Sequence, residues 1–145
     1  MAYDFFVASL KCPNCGSVSP ADSSTNIQTK IRTDPDGSYL SVGDSVEPSE
    51  PELAYYTIRK PDPSEEVRIL ETWECPTCGA SSNWAEIVIR KGTIQSIDAV
   101  PMNRDTFQRA NFISRSAASV ASDLLGVPIS KTAGMDVVKV LRDRL

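Results

Sequence analysis

The 145-residue chain contains no histidine. Without imidazole, Ser-His-Asp and Cys-His triads and histidine-dependent metallohydrolase sites are excluded. There is no phosphate-binding loop either: Gly126 and Gly134 stand alone, without the glycine spacing that cradles a nucleotide. No apolar run approaches the ~20 residues that cross a bilayer, so no membrane association is expected. Met1-Ala2-Tyr3-Asp4 opens without a basic segment and an apolar core, so a secretory leader is not expected. The expected compartment is the cytoplasm, where thiols stay reduced.

The chain does have four cysteines, and they fall as two copies of one pattern: Cys12-Pro13-Asn14-Cys15-Gly16 and Cys75-Pro76-Thr77-Cys78-Gly79. A two-residue gap lets a tight turn bring two thiolates to one side of the chain, and proline fixes φ at the first central position. Glycine after the second cysteine admits φ > 0, which is expected to turn its amide back toward sulfur. Two such knuckles facing each other make a closed four-sulfur site of the structural kind. A thioredoxin-like redox pair needs a helix after C-x-x-C, and Gly16 and Gly79 argue against one. Two disulfides would suit an exported chain.

These ten residues resemble the knuckles of the zinc-ribbon and rubredoxin-like families. The resemblance implies one metal ion held by Cys12, Cys15, Cys75 and Cys78. Structural Zn2+ is the expected ion, with iron as the alternative. The 59 residues between Cys15 and Cys75 form a longer insert than a compact ribbon carries.

The net charge of −4 is unevenly distributed. Residues 1–102 hold eight Lys and Arg against fifteen Asp and Glu, whereas residues 103–145 hold seven against four. The first part is therefore acidic and the second basic.

Along the chain, Tyr3 to Lys11 reads as a strand entering the first knuckle. Ile27–Arg32 and Ser38–Val42 flank Asp34-Pro35-Asp36-Gly37 and read as a β-hairpin. Leu53–Arg59 and Glu65–Glu74 read as two strands pairing across Pro61–Ser64, and the second leads into the second knuckle. Trp84–Arg90 and Thr93–Val100 flank Lys91-Gly92 and form the clearest hairpin. Trp73 and Trp84 bracket the second knuckle and are expected to pack the ribbon, with base stacking or partner docking as the other use.

After residue 102 the period changes. Phe107, Ala110, Ile113, Ala117, Val120, Ala121 and Leu124 recur every three or four residues, which predicts one helix over 103–125, capped by Asn103 or Asp105. Its Ala- and Ser-rich side permits close approach to a sheet or to another copy. Thr132 to Leu145 predicts a second helix.

The expected class is α+β: a mainly antiparallel sheet with a zinc-ribbon-like four-cysteine site, covered by a C-terminal helical hairpin. The β-rich region spans 1–102, with its acidic insert at 17–74. The helical pair spans 103–145 and packs on the first part as one domain.

The expected function is non-catalytic: an inhibitor, immunity or accessory factor that meets a protein partner through Asp44, Glu47, Glu50, Glu52, Glu65 and Glu66. The alternative is nucleic-acid binding through Arg104, Arg109, Arg115, Lys139, Arg142 and Arg144, against which the acidic pI of 4.8 weighs. A rubredoxin-like electron carrier is the third reading, decided by whether the metal is iron. The sequence assigns neither the partner's identity nor an oligomeric state.

Overall fold

The computed structural model describes residues 4–29, 37–46, 56–58 and 66–125. In chain order these form β1 (Asp4–Phe6), a 3-10 turn (Ser23–Thr25), β2 (Ile27–Thr29), β3 (Tyr39–Leu40), β4 (Tyr56–Ile58) and β5 (Glu66–Trp73). They continue with β6 (Asn83–Arg90), β7 (Thr93–Val100), α1 (Arg104–Arg109), β8 (Phe112–Ser114) and α2 (Arg115–Leu125). The class is α+β, with two mixed, mostly antiparallel sheets: a smaller one in the order β2-β1-β3 and a larger one in the order β4-β8-β5-β6-β7.

The β6–β7 hairpin forms where the sequence places it. Lys91 (φ 51°) and Gly92 (φ 76°) both take the left-handed conformation that a two-residue turn needs to match strand twist. Arg90 faces Thr93, and the ladder runs to Trp84 opposite Val100. A bulge interrupts it: Ile94 faces Ile89 and Ser96 faces Val88, which leaves Gln95 as the extra residue. β5 adds antiparallel on the other side of β6, from Glu66 opposite Arg90 to Trp73 opposite Asn83.

Two expected strand pairings are corrected. Ile27–Thr29 and Tyr39–Leu40 do not pair with each other. β1 lies between them, antiparallel to β2 and parallel to β3. The apolar Phe5-Phe6 run suits a central strand, and the buried Asp4 fixes the third strand by accepting a 2.7 Å hydrogen bond from the Ser38 amide. Likewise β4 does not pair with β5, because β8 lies between them, antiparallel to β4 and parallel to β5. The Pro61–Ser64 turn lies outside the described residues.

The helical hairpin is the largest correction. Instead of one helix over 103–125 there are two, split by β8. Asn103 caps the first by accepting from Thr106 N at 3.0 Å. The chain then leaves helix because β5 offers it better partners. Asn111 Oδ1 accepts from Arg68 N at 2.7 Å, and Asn111 N donates to Arg68 O at 2.8 Å. A continuous helix would leave that stretch of β5 with unpaired backbone groups. Ser114 Oγ then accepts from Ala117 N at 3.1 Å and starts α2. The second predicted helix, 132–145, lies outside the described residues.

The larger sheet packs against other elements on both faces. Its odd-numbered β5 and β6 positions, including Ile69, Trp73, Ala85, Ile87 and Ile89, pack with Phe6, Leu10, Ile27 and Leu40 from the smaller sheet and its flanks. Its other face carries Leu70, Trp84 and Ile113 under Phe107, Ala110, Ala117, Ala118 and Ala121. All three α2 alanines are fully buried, so the small-residue side does bring the helix close to a sheet. Among the described residues, no helix is long and apolar enough to cross a membrane.

Candidate metal centre

The two knuckles have the same backbone. Cys12 N donates to Ser17 O and Gly16 N to Cys12 O; Cys75 N donates to Ala80 O and Gly79 N to Cys75 O, all at 2.9 Å. Gly16 (φ 76°) and Gly79 (φ 73°) are left-handed, and nothing lies within 4 Å of where a Cβ would stand. Glycine is therefore required there for its φ and not for space. Its amide closes the turn on the first cysteine's carbonyl and does not point at sulfur, which corrects the expectation.

Different elements deliver the two knuckles. The first is the tip of a short antiparallel loop in which Lys11 bridges Val18 and Ser19 N donates to Leu10 O at 2.9 Å. The second follows directly from β5. The smaller sheet's flank is stitched to the end of β5 where Glu74 N donates to Thr25 O at 2.9 Å.

This arrangement gathers the four Sγ atoms to within 4.8 Å of one another. Cys12 Sγ lies 3.7 Å from Cys78 Sγ, and Cys15 Sγ 3.7 Å from Cys75 Sγ. Four sulfurs at about 2.3 Å from a tetrahedral Zn2+ stand about 3.8 Å apart, so these separations fit a metal. They are far from the ~2.05 Å of a disulfide, and all four cysteines are free. Cys12 and Cys75 are buried in the first core, whereas Cys15 and Cys78 are exposed.

The surroundings favour thiolate at the two outer positions. Hydrogen bonds from the Ser17 side chain and backbone hold Cys15 down at about 6. The Asn14 side-chain amide, 3.5 Å from Cys78 Sγ, and the Ala80 backbone lower Cys78. At Cys12 the Cys15 amide pulls downward, but burial and the Cys75 and Cys78 thiols outweigh it and the thiol is raised. Metal ligation would displace that proton. The donors Asn14, Ser17 and Ala80 were not picked out from the sequence. Their only signal was position, inside or just after each knuckle.

No protein-family model, curated protein or solved structure matches this chain. The site therefore stands on its own geometry. Four cysteines converge from two knuckles and could hold a metal ion.

Of the other candidate residues, those described are mostly engaged within the fold. Asp44 is held by Ser41, whose amide donates to Oδ2 at 2.8 Å and whose hydroxyl lies 3.2 Å away. Glu66 pairs with Arg90 at 2.7 Å and Arg68 at 3.3 Å, and the Arg90 hydrogen bond chiefly lowers its pKa. Both thus do internal structural work. Glu47, Glu50, Glu52 and Glu65 lie outside the described residues.

On the basic side, Arg104 is exposed, but Arg109 pairs with Glu86, whose other oxygen takes Arg68 at 3.1 Å. Arg115 also has an interaction partner. Lys139, Arg142 and Arg144 lie outside the described residues. Trp73 and Trp84 are each 1% exposed, too buried to stack a base. Trp73 Nε1 donates to Trp84 O at 3.1 Å, and the Trp84 ring stacks on Phe107 at 5.7 Å between centroids.

Proposed function

We propose that the chain is a non-catalytic protein-interaction module, an inhibitor or accessory factor, held in shape by one structural Zn2+ on Cys12, Cys15, Cys75 and Cys78. The observation that carries the metal is the pair of 3.7 Å sulfur separations between knuckles 60 residues apart in sequence. A closed four-thiolate shell has no open position for water activation, and the chain has no imidazole to act as a general base. The knuckles' likeness to zinc ribbons supports zinc, and a rubredoxin-like iron site is the competing assignment.

Metal analysis of the purified protein tests the centre. One zinc per chain, no visible absorption, and loss of zinc in Cys75→Ser are expected. Visible absorption with iron in the site would replace this reading by electron transfer, and a full zinc complement in Cys75→Ser would remove the four-ligand site.

The partner reading rests on the acidic insert. Since Asp44 and Glu66 are internally engaged, it narrows to Glu47, Glu50, Glu52 and Glu65. Charge reversal there should slow association with a native partner at low salt. An unchanged rate removes the acidic surface. Nucleic-acid binding loses support because Arg109 and Arg115 are already engaged.

A further inference from the structure

β7 is the last strand of the larger sheet, and part of its outer edge is already paired. Gly43 N donates to Ile94 O at 2.9 Å, Ile94 N to Asp44 O at 3.0 Å, and Val46 N to Gly92 O at 2.6 Å. Ile94 thus turns its backbone groups away from β6, as every second residue of an antiparallel strand does. The bulge at Gln95 resets the alternation so that Ile97, opposite Ile87, and Ala99, opposite Ala85, turn theirs outward too. Among the described residues neither has an outer backbone partner. Asp98 and Ala99 are exposed.

Where this edge ends, a groove of about 480 Å³ opens between the end of the β6–β7 hairpin and the first knuckle. Trp73, Trp84, Val100, Met102 and Pro13 make it mostly apolar. Among the described residues, Lys11 is the only charged one lining it, and it has no ion-pair partner there. Met102 is 41% exposed beside it.

We propose that the Ile97–Ala99 edge and this groove together take an extended segment of a partner protein that carries an apolar residue and, two residues away, an acidic one. The segment adds as a further strand, completing the edge that residues 43–46 begin. Side chains two apart on a strand point the same way, so both enter the groove. The apolar one packs on Val100, Met102 and Pro13, and the carboxylate meets Lys11. The recognition charge here is Lys11, opposite in sign to the acidic insert, so Lys11→Glu and charge reversal at Glu47, Glu50, Glu52 and Glu65 test the two readings separately.

The chain's two tryptophans, each 1% exposed, lie in the groove's wall beside Val100 and Met102, so a segment seated there changes their surroundings and intrinsic emission reports occupancy without a label. The probes are end-capped heptapeptides of alternating threonine and apolar residues containing Leu-Thr-Glu, with Leu-Thr-Gln and Leu-Thr-Lys versions and one N-methylated along the backbone. The Leu-Thr-Glu peptide is expected to change the emission saturably, and the Gln version to bind about tenfold more weakly. Lys11→Glu should reverse the preference in favour of the Lys version.

Ala99→Pro removes one outward N–H while leaving the β6 ladder intact, and is expected to abolish binding with zinc content unchanged. N-methylation of the peptide makes the same test on the intact protein. No emission change up to about 1 mM of any peptide overturns the proposal. So does equal binding of the N-methylated peptide, or a Glu preference that survives Lys11→Glu. Self-association of the wild type that Ala99→Pro abolishes also overturns it, because the edge then belongs to a second copy.

Discussion

Removing the metal should weaken this fold without abolishing it. A metal ion on the four cysteines would close a loop of about 60 residues, since 59 separate Cys15 from Cys75. Losing that closure relaxes the unfolded chain by about 4 kcal/mol on the loop-entropy relation for a cross-link of this span. The opposing fact is that the two sheets also meet through an extensive core. Phe6, Leu10, Ile27 and Leu40 pack on Ile69, Ile87 and Ile89, and none of these contacts needs the ion. At ~2–4 °C per kcal/mol for a chain of this size, the midpoint should fall by about 8–16 °C on chelation. Far-UV circular dichroism at 20 °C should stay native-like. The assay is thermal unfolding with and without chelator, with Cys75→Ser as a genetic equivalent. A midpoint that moves by less than about 3 °C would mean the knuckles do not act as a cross-link. Complete unfolding at 20 °C would show that the shared core is too weak to hold the sheets.

Phe107→Ala deletes a fully buried ring that stacks on Trp84 and should cost about 3–5 kcal/mol, read by urea unfolding with zinc content unchanged. Glu86→Gln leaves Arg68 and Arg109 without their shared carboxylate and should cost ~1–2 kcal/mol in the same assay, reduced because both arginines are partly exposed. In metal-free protein, Cys15 should be alkylated mostly as thiolate at pH 7. Its pKa is lowered to about 6, so the rate should climb with pH through 6 and flatten above 7. Cys12, buried and raised, should react only at higher pH, and metal should protect both; peptide mass spectrometry distinguishes them.

Each cysteine knuckle and the β6–β7 hairpin were legible because both are local. Two residues of spacing make a knuckle, and Lys91-Gly92 makes a turn, whatever the rest of the chain does. What was not legible was which strand lies beside which. Ile27–Thr29 and Tyr39–Leu40 look like partners because a turn signal joins them, yet Phe5 and Phe6 come between from earlier in the chain. The helix over 103–125 misled for a subtler reason. Phe107, Ala110, Ile113, Ala117 and Ala121 do form one buried face, as their spacing implies, but a strand contributes the middle of it. The deciding residue is Asn111, whose side chain and amide both address Arg68, a contact between positions 43 apart. No short-range period contains that information.

The four-cysteine cluster and the groove share a wall, which would give a bound metal a role beyond stability. Lys11 and Pro13 belong to the first knuckle, whereas Val100, Pro101 and Met102 belong to the end of the β6–β7 hairpin. An ion on the four cysteines would tie that knuckle to the residues after β5, and β5 is paired along its length to β6. It would therefore set the distance between Lys11 and the rest of the groove. A segment that needs both must bind the metal-loaded form more tightly than the metal-free one. By reciprocity it must also raise the metal affinity by the same factor. Peptide titrations of zinc-loaded and chelated protein, read by tryptophan emission, should differ in affinity, and zinc should leave the peptide-bound protein for a competing chelator more slowly. Equal affinities in the two states would mean that the shared core alone positions the groove, and that the four cysteines contribute stability and nothing to recognition.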